Sequence, residues 1–592
     1  MSNQGDTEGS KTAIRRLDDE TIAAVAAAEV ITRPADVVAE LIENALDAGA
    51  DRIDISVTGD GTDQLSVRDN GRGMSKQDAI LAVQRHTTSK INTTKQASGE
   101  ITPTTQDGTV PPVETLGFRG EALASIATVG TLKIETNNGG PRGTIIKTNG
   151  PTAESVEPTG RACGTTVTVG NLFETVPARQ ESLASPQAEF ARISKLVSRY
   201  ALLHPMTAIS LQHDGNDVLS TSGDGYTSAL LGVYDRDIAA QSTTIESTQT
   251  VDIETQSDHT TQTATIDIDG VLVHPTITRA SRDALSIAID GRPVNNETLA
   301  TAIIDGYGDL LPTGQHPIAA ITVSLPGSLT DHNVHPRKQT VRIQTADLIA
   351  DMIETSVSDA LSTVDQRQID TFSTEFDVSF EPLTHSDSGQ TSSAAVADAD
   401  VLGQFQELYI LCSLDETLLI VDQHAAHERI TYERLCATLD ETLPTAVVDP
   451  PVTVSLTPGQ HAVLDSLTDQ LTTYGYEYTT DNSDKRTIRV HSVPAPLGQP
   501  AAPVSIRDAI DTLQTDDTPS VADERNDTLA EVACHQSLRA GEILDSSAAD
   551  ELLSQLGACE NPYACPHGRP VVLTIDEIDF VRAFGRRNTR RS

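Results

Sequence analysis

The stretch "RPADVVAELIENALDAGA", residues 33–50, decides how the first part of the chain folds. Pro34 stands where a first helical turn tolerates proline, and Gly49 stands where a helix ends. At about 100° per residue with Glu40 set to zero, Glu43, Asn44 and Asp47 fall near 300°, 40° and 340°, while Val38, Leu41, Ile42 and Ala45 fall between about 100° and 200°. One face is core; the other gathers carboxylates and an amide. Taken alone, that face reads more readily as the wet side of an amphipathic helix than as a site.

The neighbouring segments change the balance. "VRDNGRGM", residues 67–74, follows a strand-like run and carries Asp69 with glycines at 71 and 73, where backbone can approach a ligand closely. "TLGFRGEALASIATVG", residues 115–130, places Gly117 and Gly120 before a helix whose free N–H groups would suit phosphate. "GTTVTVGNLF" follows at 164–173, and no GxxxxGK[ST] loop occurs. Helix acids with an asparagine, a DxGxG turn, a glycine-rich loop and then this strand, in that order, resemble the GHKL family of ATPases.

Within that superfamily, "AAAEVITRPADVVAELIENALDAGA", "DNGRGM", "RHTTSK", "GFRGEALASIA", "VPAR" and "NVHPRK" are similar to the motifs of MutL-type DNA mismatch-repair proteins, over nearly the whole chain. The resemblance implies an α+β multidomain protein. Its first part would be a GHKL (Bergerat) α/β sandwich at 1–225, followed by a ribosomal S5-like transducer at 226–360. A flexible linker at 361–399 would lead to a C-terminal dimerisation and endonuclease domain at 400–592, with a regulatory insertion near 443–525. It further implies that Glu40 is the general base, Asn44 holds Mg²⁺ on the phosphates of ATP, and Asp69 accepts a hydrogen bond from the adenine amino group. Each role suits the chemistry of the side chain. Gly73, Thr88, Ser89, Lys90 and the Gly117–Phe118–Arg119–Gly120 loop would line the nucleotide, and Lys338 would reach the γ-phosphate as a point charge. Lys338 stands out because the chain has only 9 Lys among its 42 basic residues.

Near residue 400 the composition changes. "STEFDVSFEPLTHSDSGQTSSAAVADAD" reads as linker. "VLGQFQELYILCSLDETLLIVDQ" then predicts two strands joined by the turn "SLDE", with a helix behind them. That helix is "DQHAAHERITYE", residues 422–433, which fits the endonuclease pattern of MutL-like chains: DQHA, two residues, Glu, four residues, Glu. His424 and Glu428 are spaced i, i+4 and share a helix face. "ACHQSLRAGE" supplies Cys534, "CPHGRP" supplies Cys565 and His567, and "FGR" closes the set at 584–586. Thiols and imidazoles suit Zn²⁺, and carboxylates suit Mn²⁺ or Mg²⁺. By the resemblance, Asp422 and Glu428 are catalytic and His424, Glu428, Cys534, Cys565 and His567 hold metal. His427 occupies a variable position, and Cys412, Cys436 and Cys559 are ordinary thiols. A second reading keeps the metals as structural, in an ATP-governed DNA matchmaker without nuclease activity. A gyrase-like topoisomerase subunit is disfavoured, because its metal-binding core is not represented here.

The resemblance also implies a homodimer, double-stranded DNA and a MutS-type mismatch-recognition protein as partners. A sliding clamp is a weaker expectation, since in "TAVVDPPVTV" Thr445 stands where a glutamine is usual. Ala28 replaces the usual glycine of "AAGEV", and residues 91–116 form a long polar segment where an ATP lid is expected. Charge adds a constraint. Lys+Arg 42 against Asp+Glu 85 gives 42 − 85 = −43 in 592 residues, without long acidic blocks. That distribution fits folded acidic surfaces in a salt-rich cytoplasm, as in a halophile; there a Debye length of about 3 Å at molar salt leaves local arginine–phosphate contacts intact. "MSNQGDTEGSK" shows no apolar core of an export signal, no apolar stretch is long enough to span a membrane, and six cysteines are too few for a disulfide framework. The expected location is the cytoplasm.

Overall fold

The computed structural model describes residues 31–84, 87, 94–95, 101–102, 116, 121–150, 153–254, 261–311, 315–326, 330–331, 342–343, 346–362, 396–397, 399–406, 408–414, 417–438, 445–480, 486–495, 500–513, 544, 546–559, 561–565 and 570–576. It separates into two compact units. One comprises Met1–Val197, Met206–Gly223 and Thr330–Arg342; the other comprises Ser198–Pro205, Asp224–Leu329 and Ile343–Ser592.

In the first unit, helix α1 (Pro34–Asp47) has proline in its first turn and is followed by Gly49 at φ +70°, as the spacing predicts. Val37, Val38, Leu41, Ile42 and Ala45 are buried. Each fully buried aliphatic side chain of this size contributes about 1.5–3 kcal/mol relative to exposure, so this stripe alone fixes the helix to the sheet. The strands are β1 (Arg52–Thr58), β2 (Gln64–Asp69), β3 (Thr131–Asn137), β4 (Gly143–Asn149), β5 (Ala153–Thr159), β6 (Gly164–Gly170), β7 (Ala208–His213) and β8 (Asn216–Ser220). They form one eight-stranded sheet in the order β8-β7-β1-β2-β6-β3-β4-β5. All its pairings are antiparallel except that of β1 with β7, where Arg52 faces Ala208 in parallel register. Helix α2 (Ala122–Val129) packs on β3 and β4, with Ile126 and Val129 fully buried.

The second unit contains helices α3 (Tyr226–Val233) and α4 (Arg236–Ala240), then strands β9 (Ser242–Glu254), β10 (Thr261–Val273), β11 (Leu285–Ile289), β12 (Arg292–Val294) and β13 (Ala319–Ser324). These strands form a sheet in the order β9-β10-β13-β11-β12. Helices α5 (Glu297–Tyr307) and α6 (Ala346–Ser362) pack together beside it. Asn295 and Asn296 have structural roles. Asn295 accepts a hydrogen bond from Arg199 at 2.9 Å, and Asn296 caps α5 by accepting from Leu299 N at 3.1 Å.

Beyond residue 400 three strands replace the two that the sequence predicts: β14 (Asp400–Phe405), β15 (Tyr409–Leu414) and β16 (Thr417–Asp422). The extra break falls at Gln406, whose φ of +52° turns the chain and allows Phe405 to pair with Tyr409. Helix α7 (Gln423–Thr438) follows directly, and β20 (Val572–Asp576) completes the sheet order β14-β15-β16-β20. Between them lie β17 (Thr445–Ser455), α8 (Pro458–Leu464), β18 (Glu477–Thr480), β19 (Thr487–Pro494), α9 (Ile506–Leu513) and α10 (Ser546–Gly557). Strands β17, β19 and β18 make a separate three-stranded sheet. Among the described residues no helix is long and apolar enough to cross a membrane.

Candidate functional sites

The polar face of α1 is set by contacts at its two ends. At the start, Asp36 Oδ2 accepts from Thr32 N at 2.8 Å, Arg33 N at 3.0 Å and Thr32 Oγ1 at 2.7 Å, satisfying amides that a helix N-terminus leaves orphaned. At the end, Asp47 Oδ1 accepts from Leu116 N at 2.9 Å, which ties the chain just before Gly117 to the helix. Between them Glu40 and Asn44 are half-buried, one helical turn apart. Glu43 is buried, so this face is not the evenly solvated side that the helical pattern alone favours.

Asp69 ends β2 and is 8% exposed. Its Oδ1 accepts from Gly71 N at 2.9 Å and from Thr165 N at 3.2 Å. Burial holds this carboxyl above the usual carboxylate range, although both amides and the nearby Arg161 guanidinium pull the other way. The turn that follows is crowded by backbone. A Cβ at Gly73, whose φ is +62°, would lie 2.0 Å from the Asn137 carbonyl oxygen, and one at Gly164, φ +118°, would lie 2.2 Å from that of Asp69. Glycine is obligatory at both. Arg161 closes the cluster: its Nη2 donates to the Asp69 carbonyl at 2.9 Å and its Nε to that of Gly164 at 3.1 Å, while Nη1 bonds Thr166. Thr136 Oγ1 accepts from Met74 N at 2.8 Å. The sequence shows the "GTTV" strand but not the parts of Arg161 and Thr136 in this cluster, because the contacts that join them to the DNGRG turn, with Asp69 and Met74, span 92 and 62 positions. Thr88, Ser89, Lys90, Gly117 to Gly120 and Lys338 lie outside the described residues.

Asp69→Asn separates binding from folding. The Gly71 and Thr165 amides both donate to Oδ1, so an amide oxygen in its place retains both bonds. A carboxyl whose pKa is raised on folding contributes stability fully only below its unfolded value, near 3.9, and loses it as pH rises through the folded value. At neutral pH the ionised group is therefore a cost. The expected result is a ligand-free Asp69→Asn protein that melts at or above the wild-type temperature at pH 7 while failing to bind ATP. A clearly lower melting temperature would show that the carboxylate stabilises the fold.

The second constellation is built around α7. Asp422 ends β16, its N–H donates to Val571 O at 3.0 Å, and its Oδ1 accepts from Ala425 N at 2.9 Å, so it caps the helix that carries the remaining residues. His424 is half-buried, and Glu428, on the same face, is 4% exposed. Cys565 is buried in the core cluster that contains Ala425, Ala426 and Ile430 of α7. Arg429 Nε donates to the adjacent Ala564 carbonyl at 2.6 Å, so the chain before Cys565 lies against the helix. Glu433 accepts from Asn561 N at 3.1 Å and is tied up structurally. His427 is buried. Burial, with His424 and Arg434 nearby, pulls it down to about 4, so it packs as a neutral ring. Cys412 and Cys559 are buried in the same core, their thiols pushed up to about 11 and about 12 by burial. Among the described residues no group of three or more His, Cys, Asp or Glu could hold a metal ion. Cys534 and His567 lie outside the described residues.

A curated relative matches from end to end: the DNA mismatch repair protein MutL of Halobacterium salinarum is 34% identical, with 97% of this chain and 97% of that protein covered. The chain belongs to the MutL family of DNA mismatch repair proteins. MutL of Deinococcus radiodurans is 35% identical over 96% of this chain and 95% of its own, and MutL of Methanothrix thermoacetophila 33% over 97% and 100%. The family model for histidine kinase-, DNA gyrase B- and HSP90-like ATPases matches residues 31–148, which include Glu40, Asn44, Asp69 and Gly73. The model for the C-terminal domain of DNA mismatch repair proteins matches 239–362. The MutL C terminal dimerisation domain matches 402–544, which takes in Asp422, His424, Glu428 and Cys534. The chain is thus a mixed α+β MutL with an N-terminal GHKL ATPase domain, a transducer domain and a C-terminal dimerisation domain.

Proposed function

We propose that this MutL is an ATP-driven dimeric switch that also nicks DNA, with the ATPase domain at 1–225, the transducer at 226–360, a linker at 361–399 and the nuclease and dimerisation domain at 400–592. Glu40 acts as general base, Asn44 offers a hard oxygen donor to Mg²⁺, and the buried Asp69 carboxylate accepts from the adenine amino group. The described geometry suits these roles. Asp69 is anchored through Oδ1 by two backbone amides, which orients the carboxylate without engaging a second side chain. Thr88, Ser89, Lys90, the Gly117–Phe118–Arg119–Gly120 loop and Lys338 complete the phosphate contacts.

For the nuclease, the carrying observation is the helix α7, capped by Asp422 and presenting His424 and Glu428 together, with Cys565 packed in the core beside it. His424, Glu428 and Cys565 by themselves make no metal-holding group; imidazole, carboxylate and thiol are donor types that suit Zn²⁺ or Mn²⁺, and the proposed site needs Cys534 and His567 to complete it. A divalent ion held there supplies the positive charge that phosphodiester cleavage needs. A structural metal in a DNA matchmaker is the second reading, favoured by the deep burial of Glu428 and Cys565, because closed sites suit structural zinc. DNA, a second copy of the chain and a MutS-type protein are the partners. For the second copy, edge strand β14 and its neighbour offer Leu402, Phe405 and Tyr409, exposed by 62%, 54% and 36%. Clamp binding at 445–454 lacks the usual glutamine, although Val447 there is 82% exposed. Location in a salt-rich cytoplasm fits the charge.

Wild-type protein at molar salt is expected to hydrolyse ATP with Mg²⁺ and to convert supercoiled plasmid to the nicked form with Mn²⁺. Hydrolysis without nicking, at any Mn²⁺ or Zn²⁺ concentration, would leave the matchmaker reading in place of the nuclease.

A further inference from the structure

Two arginines of the three-stranded-sheet segment reach residues more than two hundred positions away. Arg486 Nη1 donates to the carbonyls of Gly232 at 3.1 Å and Val233 at 3.3 Å, at the C-terminal end of α3. A helix leaves carbonyls unsatisfied there, and a cation is favoured. Arg507, in the first turn of α9, donates from Nη2 to Asp235 Oδ2 at 3.1 Å and from Nε to Ser455 O at 2.7 Å. Asp235 uses its other oxygen, Oδ1, to accept from Ile238 N at 2.9 Å, which caps α4. Both oxygens of this carboxylate therefore have a defined partner, one within its own turn and one on α9.

Further hydrogen bonds brace the α9 side. Gln460 Nε2 donates to Asp511 Oδ2 at 2.8 Å and to Arg507 O at 3.3 Å, which locks α8 to α9. The Arg507 and Asp235 side chains are 11% and 20% exposed, unlike the open surface pairs that contribute almost nothing. Arg279, itself buried, lies close enough to Arg507 to repel its charge, and Asp235, hydrogen-bonded to Arg507, and Asp508 are the counter-charges that offset it.

We propose that the Arg486–Arg507 edge of residues 445–513 is an intrachain docking surface whose partner is the α3–α4 turn of the transducer, Gly232 to Asp235. The contact links the MutL dimerisation half to the segment that follows the ATPase domain by two charge-assisted attachments, one to helix-end carbonyls and one to a capping carboxylate.

Hydrogen exchange on the full chain tests this. Asp235→Asn removes the charge while keeping a residue that caps helices well. Arg486→Gln removes the cation from the end of α3. Each variant is expected to speed amide exchange on the opposite side of the contact, at 506–513 for Asp235→Asn and at 226–233 for Arg486→Gln. Asp235→Asn combined with Arg507→Gln should show a coupling of about 2- to 100-fold relative to additive singles. Acceleration confined to the mutated side, or additive singles, would overturn the docking. Protection at 506–513 that rises with protein concentration would assign the contact to a second copy and overturn its intrachain character.

Discussion

Glu40→Ala is expected to bind ATP with near wild-type affinity and to hydrolyse it about 10² to 10⁴-fold more slowly, the usual loss when a positioned general base is removed. The substitution is mild for the fold. Residue 40 is half-buried on the polar face of α1, alanine is the best helix former, and the buried stripe of Val37, Val38, Leu41 and Ile42 is untouched. Single-turnover hydrolysis beside equilibrium nucleotide binding separates the two quantities. Turnover within a few-fold of wild type would move the base to another residue, whereas loss of binding would recast Glu40 as part of the nucleotide pocket.

Asp422→Asn should abolish plasmid nicking, a loss of about 10²-fold or more by the same reasoning about positioned carboxylates, while ATP hydrolysis stays near wild type. Asparagine is chosen because Asp422 also caps α7 through Ala425 N. An asparagine oxygen caps almost as well, so a lost activity is not a lost helix. Glu428→Gln should behave alike, and Cys565→Ser should lower the zinc found by elemental analysis. Unchanged nicking by Asp422→Asn in Mn²⁺ buffer would remove the nuclease reading.

Local pattern made α1, the DNGRG turn and α7 legible, since each is specified within about one to five helical turns of sequence. Pro34, Gly49 and the apolar stripe state the first helix almost completely. The rest depends on distant partners. Asp69 is anchored by Thr165, and Arg161 spans 92 positions to reach its carbonyl. Glu43 looks solvated on a helical wheel, which carries no knowledge of what packs above it. The break at Gln406 is invisible because glutamine is no usual turn former, and its positive φ goes with the pairing of Phe405 with Tyr409.

The parallel pairing of β1 with β7 bears on how the chain is made. Arg52 meets Ala208, a separation of 208 − 52 = 156 residues, and β1 is an inner strand of the finished sheet. At about 5–20 residues per second, a ribosome takes roughly 8 to 30 s to deliver the covering strand after β1 emerges. For that interval one side of β1 has no neighbour, and an unpaired strand edge is a template for aggregation. Closing so long a loop is also slow compared with local helix formation. The nascent ATPase domain is thus most vulnerable while it is still tethered to the ribosome, and fragments that stop before residue 208 inherit the open edge permanently.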